Sequence, residues 1–180
     1  MIILRQLEEK DAGLMLEWMH DEETQQSFRK NMMNVTLEEA MDFCRAAKLP
    51  SVLQSGKSIH MAIVDNTNDE YLGTISLKEI DLENKSAEYA ISLRKQARGK
   101  GVAKEATGLI LKKAFEEYGL HRVYLNVLES NEAAIQLYER CGFVFEGEFR
   151  DHLFLRGKYE TLKWYAILEE EYQRNREVGP

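Results

Sequence analysis

Apolar and polar residues recur along this chain with two periods, near two and near 3.6, and the change from one to the other marks its elements. Ile2 to Leu7 predicts a first strand. Within Glu9 to His20, the residues Ala12, Leu14, Met15, Trp18 and Met19 give a roughly helical apolar face. Thr36 and Glu39 then form a capping box, each side chain placed to hold the other's backbone amide. They open a helix over Leu37 to Lys48 that Pro50 closes, with Ala40, Met41, Phe43 and Cys44 on its buried side. Asp21 to Asn34, between the two helices, shows no clear period.

Ser58 to Asp65 and Glu70 to Asp81 predict strands joined by the turn Asn66-Thr67-Asn68-Asp69, and Lys85 to Leu93 predicts another. Their connections are too short for a helical crossover, so the three form an antiparallel meander. After Leu93 the period lengthens. Val102, Ala103, Ala106, Leu109, Ile110, Ala114 and Phe115 define the clearest helix, which Gly119 stops. His121 to Leu128 is strand-like, and Glu132 to Arg140 is a short helix ending at Cys141-Gly142. Strand, helix and strand across 85–128 make a βαβ unit, which puts a parallel pair inside the sheet. Phe143 to Leu155 and Lys158 to Leu168 flank Arg156-Gly157 as a closing hairpin. The charged run 169–180 predicts a flexible, frayed tail. The expected class is α/β (α+β): one domain over 1–180, a mixed, mostly antiparallel sheet with a central parallel pair, flanked by helices.

Composition narrows the function. Twenty-four Lys plus Arg against 31 Asp plus Glu leave a net charge of −7. That balance argues against gripping nucleic acid through its phosphates and suits a cationic or amine partner. Cys44 and Cys141 form no CxxC, and His20, His60, His121 and His152 show no ligand spacing, so neither a disulfide framework nor a metal is expected. The first residues lack a basic n-region, and no run approaches the roughly 18 apolar residues of a membrane span. A cytoplasmic protein without membrane contact is the expectation.

Against this acidic background Arg94, Lys95, Arg98, Lys100 and Lys104 surround Gly99-Lys100-Gly101 at the start of the clearest helix. A basic run alone is usually a solvated face. Here it opens a helix, whose first turn leaves N–H groups unpaired and carries the positive end of the macrodipole, while glycine lets an anion approach the backbone. The chemistry is that of a phosphate or diphosphate site. No GK[ST] follows, and Lys104 stands where a dinucleotide fingerprint needs its third glycine, so nucleotide hydrolysis and hydride transfer lose their support.

Arg98-Gly99-Lys100-Gly101-Val102-Ala103 resembles the coenzyme A loop of the GNAT superfamily of N-acetyltransferases, Gln/Arg-x-x-Gly-x-Gly/Ala. Asn131-Glu132-Ala133-Ala134-Ile135-Gln136-Leu137-Tyr138-Glu139-Arg140-Cys141-Gly142-Phe143 resembles that superfamily's segment after the fifth strand. The closing residues Phe145 to Glu148 and Arg156 to Tyr159 are similar to the branch holding ribosomal-protein N-terminal, spermidine and amino-sugar-nucleotide acetyltransferases.

This resemblance implies acetyl-CoA as co-substrate, without a metal, and a sheet splayed between its fourth and fifth strands to hold it. Residues 98–103 would then bind its diphosphate, Asn131 its pantetheine or phosphate region, and backbone amides near Ile91 to Leu93 the oxyanion. Tyr138 would protonate the departing thiolate; its alternative is a core aromatic beside Ile135 and Leu137. Asn131 also reads as an ordinary N-cap. Glu88 is the chosen base for the acceptor ammonium, with a surface carboxylate as its alternative and Glu129 and Asp81 as rivals. Trp18, Phe28, Met32 and Met33 either line an acceptor pocket in the variable N-terminal part, to which segment 21–34 would contribute, or pack, with packing favoured for Trp18. Direct transfer to a primary amine follows, on a polyamine, an amino sugar nucleotide or a protein N-terminus. Two further readings are a non-catalytic acyl-CoA-binding module and a nucleotide-binding protein. Homodimer pairing through an edge strand or the final hairpin is common among such relatives.

Overall fold

The computed structural model describes residues 1–177, and its seven strands form one sheet in the order β1-β2-β3-β4-β5-β7-β6. β1 (Ile2–Gln6), β2 (Ile59–Asp65), β3 (Tyr71–Asp81) and β4 (Ser86–Leu93) are successive antiparallel neighbours. β5 (Arg122–Leu128) runs parallel to β4. The closing hairpin is β6 (Val144–Leu155) and β7 (Lys158–Leu168); β7 lies inside against β5, and β6 takes the edge. The helices are α1 (Ala12–Met19), α2 (Glu22–Gln25), α3 (Leu37–Ala46), α4 (Val102–Lys112), α5 (Glu132–Arg140) and α6 (Glu169–Glu177).

Strand alternation divides the core between the two faces. Met61, Ile63, Ile75, Tyr89, Val123 and Leu125 pack with Ala106 and Ile110 of α4 on one face. Ala62, Val64 and Tyr71 pack with Met15 and Trp18 of α1 and Ala40 and Cys44 of α3 on the other. β2 is therefore buried on both sides, which accounts for its unbroken apolar run Met61-Ala62-Ile63-Val64.

The local signals act as the pattern predicts. Thr36 accepts from Glu39 N–H at 3.2 Å while the Glu39 carboxylate accepts from Thr36 N–H at 2.7 Å, a reciprocal cap that stabilises α3 by about 1 kcal/mol. α4 continues into one wider π-type turn, Lys113–Glu117, before Gly119 (φ +63°) ends it in the left-handed region.

The frayed tail is corrected. Residues 169–177 are α6, and 178–180 lie outside the described residues. Glu169, Glu170 and Glu171 occupy the first turn and Arg174 and Arg176 the last, which complements the helix dipole. The buried Tyr172 anchors the helix: its ring packs 4.9 Å from that of Phe115, and its hydroxyl donates to Glu116 at 2.8 Å. The charge run concealed one apolar contact that outweighs its solvation.

Candidate active site

β4 and β5 are paired at only three positions, Ser86 with Arg122, Ala87 with Val123 and Glu88 with Tyr124. Beyond Glu88 the strands diverge, while β3 keeps β4 in register as far as Leu93 opposite Gly73. Arg94 N–H donates to Leu72 O at 2.9 Å across that pair. Antiparallel alternation therefore turns the N–H groups of Ile91 and Leu93 away from β3, toward the gap. Only glycine fits opposite: a Cβ on Gly73 would stand 2.3 Å from Ser92 O.

At the open end of the gap the chain turns into α4. Gly99 (φ +71°) and Gly101 (φ +80°) adopt the left-handed conformation, and Gly101 is the helix N-cap. The turn bonds run from Arg98 N–H to Lys95 O and resume with Glu105 N–H to Gly101 O. The amides of residues 99–104 between them have no backbone acceptor among the described residues, so Gly99, Lys100, Gly101, Val102 and Ala103 present a row of free donors. Lys100 and Lys104 make no ion pair among the described residues, leaving two free cations beside these donors.

The rest of the basic run does other work. Arg94 is 5 % exposed and donates to Glu17 at 2.7 and 3.0 Å, to Glu70 at 2.7 Å and to Tyr71 O at 2.9 Å. It ties α1 and β3 to the end of β4, which makes it a structural clamp on the turn. Lys95 approaches Glu23 at 3.6 Å. Arg98 bonds Leu93 O at 3.2 Å, Asp21 at 3.4 Å and the Thr24 hydroxyl, so its side chain joins the turn to α2. The Thr24 hydroxyl and amide hold the Asp21 carboxyl below its ordinary range.

Tyr138 stands on α5 between two rings, 5.8 Å from Tyr89 of β4 and 5.9 Å from Phe143, both edge-on. Tyr89 is fixed by Thr107 of α4 at 2.8 Å, and Thr107 bonds back to Ala103 O at 2.7 Å. The Tyr138 hydroxyl has no hydrogen-bond partner among the described residues, and burial pushes its pKa up to about 12. Packing and a free proton donor thus coexist in one side chain. Cys141, nearby, is a free thiol whose pKa burial raises, which disfavours the thiolate that a nucleophile needs.

Asn131 is the N-cap of α5, accepting from Ala134 N–H at 3.2 Å, and its amide donates to the Ser27 hydroxyl at 3.0 Å. That second bond belongs to a strap. Segment 21–34 is also held by Arg29 to the Asn126 side chain of β5 and by Arg156 of the hairpin to Gln26 O at 2.7 Å. Phe28 stacks on Trp18 at 5.6 Å, and both join the α1 core with Met32, so packing describes these three. Phe28 and Met33 also line a cavity of about 390 Å³ between the strap and Phe154, Leu155 and Arg156.

On the sheet face opposite α4, Glu88 stands at the apex of the gap, paired with Lys78 at 3.0 Å and opposite Tyr124. Tyr124 stacks on Trp164 of β7 at 6.2 Å. The rivals are placed elsewhere. Asp81 closes the β3–β4 turn by accepting from the Glu83 and Asn84 amides, each at 2.9 Å, and Glu129 is an exposed partner of Lys163 at 3.3 Å. The clamp Arg94 and the strap bonds of Ser27, Arg29 and Arg156 escape a reading of the chain, because each joins residues more than 20 positions apart.

A strand gap backed by a glycine turn that frees a helix's first amides is the architecture of an acyl-CoA-dependent acetyltransferase. The family model for the acetyltransferase (GNAT) domain matches residues 1–144. The chain belongs to this acetyltransferase family, and the sheet with its single parallel pair is the GNAT fold. The spermidine N(1)-acetyltransferase of Vibrio cholerae serotype O1 is 34 % identical over 110 residues, 61 % of this chain and 64 % of that protein. The "Putative ribosomal N-acetyltransferase YdaF" of Bacillus subtilis is 30 % identical over 173 residues, 96 % of this chain and 93 % of that protein. The crystal structure of spermidine N-acetyltransferase from Vibrio cholerae in complex with CoA and spermine superposes with a TM-score of 0.83 at 26 % identity, over 96 % of this chain and 98 % of that one. No helix of the described residues is long and apolar enough to cross a membrane.

Proposed function

We propose that this chain transfers the acetyl group of acetyl-CoA directly to a primary amine of a polyamine. The observation that carries the reading is the gap beyond Glu88, lined by the Ile91 and Leu93 amides and continued by the free amides of residues 99–103. Acetyl-CoA supplies the activated thioester. The turn holds its diphosphate through Gly99, Lys100, Gly101, Val102 and Ala103, with Arg98 fixing the turn to α2. Asn131 caps α5 and ties the strap to it through Ser27, which sets the strap beside the path of the pantetheine chain. The Ile91 and Leu93 amides stabilise charge on the carbonyl oxygen.

An alkyl ammonium has a pKa of about 10, so the acceptor must first lose a proton. Glu88 takes it, through water, at the apex of the gap. The amine nitrogen bonds to the carbonyl carbon and sheds its second proton to water, the carbon–sulfur bond breaks, and Tyr138 gives its phenolic proton to the sulfur and regains one from solvent. The sheet offers no paired nucleophile and base, so no acyl-enzyme intervenes. The net charge of −7 and the spermidine acetyltransferase relatives support a polycationic acceptor.

Acetylation of a protein N-terminus is a second reading, favoured by the full-length match to the YdaF relative. Thiol release from acetyl-CoA is measured with spermidine, an N-terminal peptide and an amino sugar nucleotide. Spermidine is expected to give the highest kcat/KM. Turnover with the peptide and none with any polyamine would overturn the proposal.

A further inference from the structure

Carboxylates outnumber cations in this chain, 31 to 24, and Arg5, Arg45, Arg94 and Arg122 each meet at least one of them. The cavity of about 390 Å³ between the strap and the β6–β7 hairpin departs from that pattern. Its lining holds Arg29, Lys30 and Arg156 against a single carboxylate, Glu22, and none of the three cations is ion-paired among the described residues. Arg29 gives one N–H to the Asn126 side chain, and Arg156 gives two to the Gln25 and Gln26 carbonyls. A guanidinium carries five such donors, so most of theirs stay unspent.

A buried donor in the same lining agrees with the cations. Gln25 Oε1 accepts from Met32 N–H at 2.8 Å, which fixes the orientation of the amide and leaves Nε2 buried without an acceptor among the described residues. Such a donor is destabilising until an acceptor meets it. The remaining walls are apolar: Phe28, Leu155 and Phe154, whose side chain is exposed although it faces a volume of small-molecule size. Residues 99–104, Glu88 and Tyr138 are not part of this lining, so the cavity is separate from the carrier's turn and from the transfer row. Three unpaired cations repel a polyammonium chain, so the proposed acceptor is not the occupant.

We propose that this cavity is a second ligand site, for an amphipathic oxyanion: a phosphate or carboxylate group on an apolar body. Arg29, Lys30 and Arg156 meet the charge, Gln25 Nε2 donates to an anion oxygen, and Phe28, Phe154 and Leu155 cover the body. Because Arg29 and Lys30 belong to the strap and Arg156 to the hairpin, the bound anion ties the two together. The inference goes beyond the polyamine reading and does not depend on it.

The test is titration calorimetry at low salt on protein saturated with coenzyme A, which fills the turn, with phenyl phosphate, benzoate, inorganic phosphate and benzyl alcohol as probes. Phenyl phosphate or benzoate should bind once per chain, roughly tenfold tighter than inorganic phosphate, which lacks the apolar body. The tighter of the two identifies the head group, and benzyl alcohol, which lacks the charge, should not bind. Arg156→Gln should weaken that probe roughly tenfold, the scale of one charge-assisted contact. Gln25→Glu keeps the acceptor for Met32 N–H, puts a carboxylate oxygen where the donor stood, and should abolish binding. No binding of either aromatic anion to the wild type, binding seen only without coenzyme A, equal affinity for inorganic phosphate, or unchanged affinity in both variants would overturn the site. None of these readouts involves turnover, so the polyamine reading stands or falls separately.

Discussion

Replacing Tyr138 with phenylalanine isolates the proton donor from the packing that surrounds it. The hydroxyl makes no hydrogen bond to a described residue, so its removal orphans no partner, and the edge-on contacts with Tyr89 and Phe143 involve the ring alone. Stability should therefore move by no more than about 0.5 kcal/mol. Loss of a general acid lowers turnover by about 10²–10⁴-fold, and kcat should fall within that range. The wild-type pH profile offers an independent check. Burial sets the phenol's pKa at about 12, so about 99 % remains protonated at pH 10, where an ordinary phenol of pKa about 10 is half ionised. No alkaline loss of kcat from this group is expected below about pH 11. Stopped-time thiol release with saturating acetyl-CoA and spermidine, paired with chemical denaturation of both proteins, gives both quantities. A phenylalanine variant that turns over at the wild-type rate with unchanged stability removes Tyr138 from the mechanism.

Gly101→Val forces a β-branched residue to φ +80° at the N-cap of α4. It should cost about 1–2 kcal/mol and raise KM for acetyl-CoA well before that for the amine; equal KM values in variant and wild type would contradict the turn's role. Arg94→Gln leaves Glu17 without its cation and Glu70 with only the Gln96 side-chain amide, which donates to it at 2.8 Å. Because their side chains are 49 % and 39 % exposed, the expected loss is about 2 kcal/mol, below the 3–5 of a fully buried pair, and urea denaturation reads it. Alkaline unfolding should be steep. Burial raises the pKa of Tyr71, Tyr89 and Tyr138, so above pH 10 the unfolded chain binds fewer protons than the native one, and stability declines as pH rises. Each phenol contributes up to about 1.4 kcal/mol per pH unit, and denaturation midpoints between pH 9 and 11 that stay level would refute the coupling.

The parts of this fold that depend on near neighbours were legible in the chain itself. The capping box at Thr36, the helix opened by Gly101 and the short helix from Asn131 to its Gly142 stop each announce themselves within a dozen residues. So did the parallel pair, since a helix between two strands leaves few other ways to return to the sheet. What depends on distant partners was not. Nothing local distinguishes Arg94, a buried clamp, from Lys100, a free cation in the same run; the difference lies in Glu17 and Glu70 on other elements. α6 was hidden for the same reason, because Tyr172 finds Phe115 and Glu116 only in the folded chain. Trp18, for which packing was the favoured reading, does face the core, and its indole donates to the Tyr71 hydroxyl at 3.0 Å.

The three residue pairs that join β4 to β5 have a mechanical meaning as well. Seven strands are sewn into one sheet, but the seam between the first four and the last three is short. On the proposed reading the carrier's arm fills that seam, so occupancy and cohesion rise together: at a hundredfold excess over Kd a ligand adds about 2.7 kcal/mol to the folded state. Heat resistance then becomes a gauge of carrier concentration, and each release of the spent carrier briefly loosens the whole molecule along a single line.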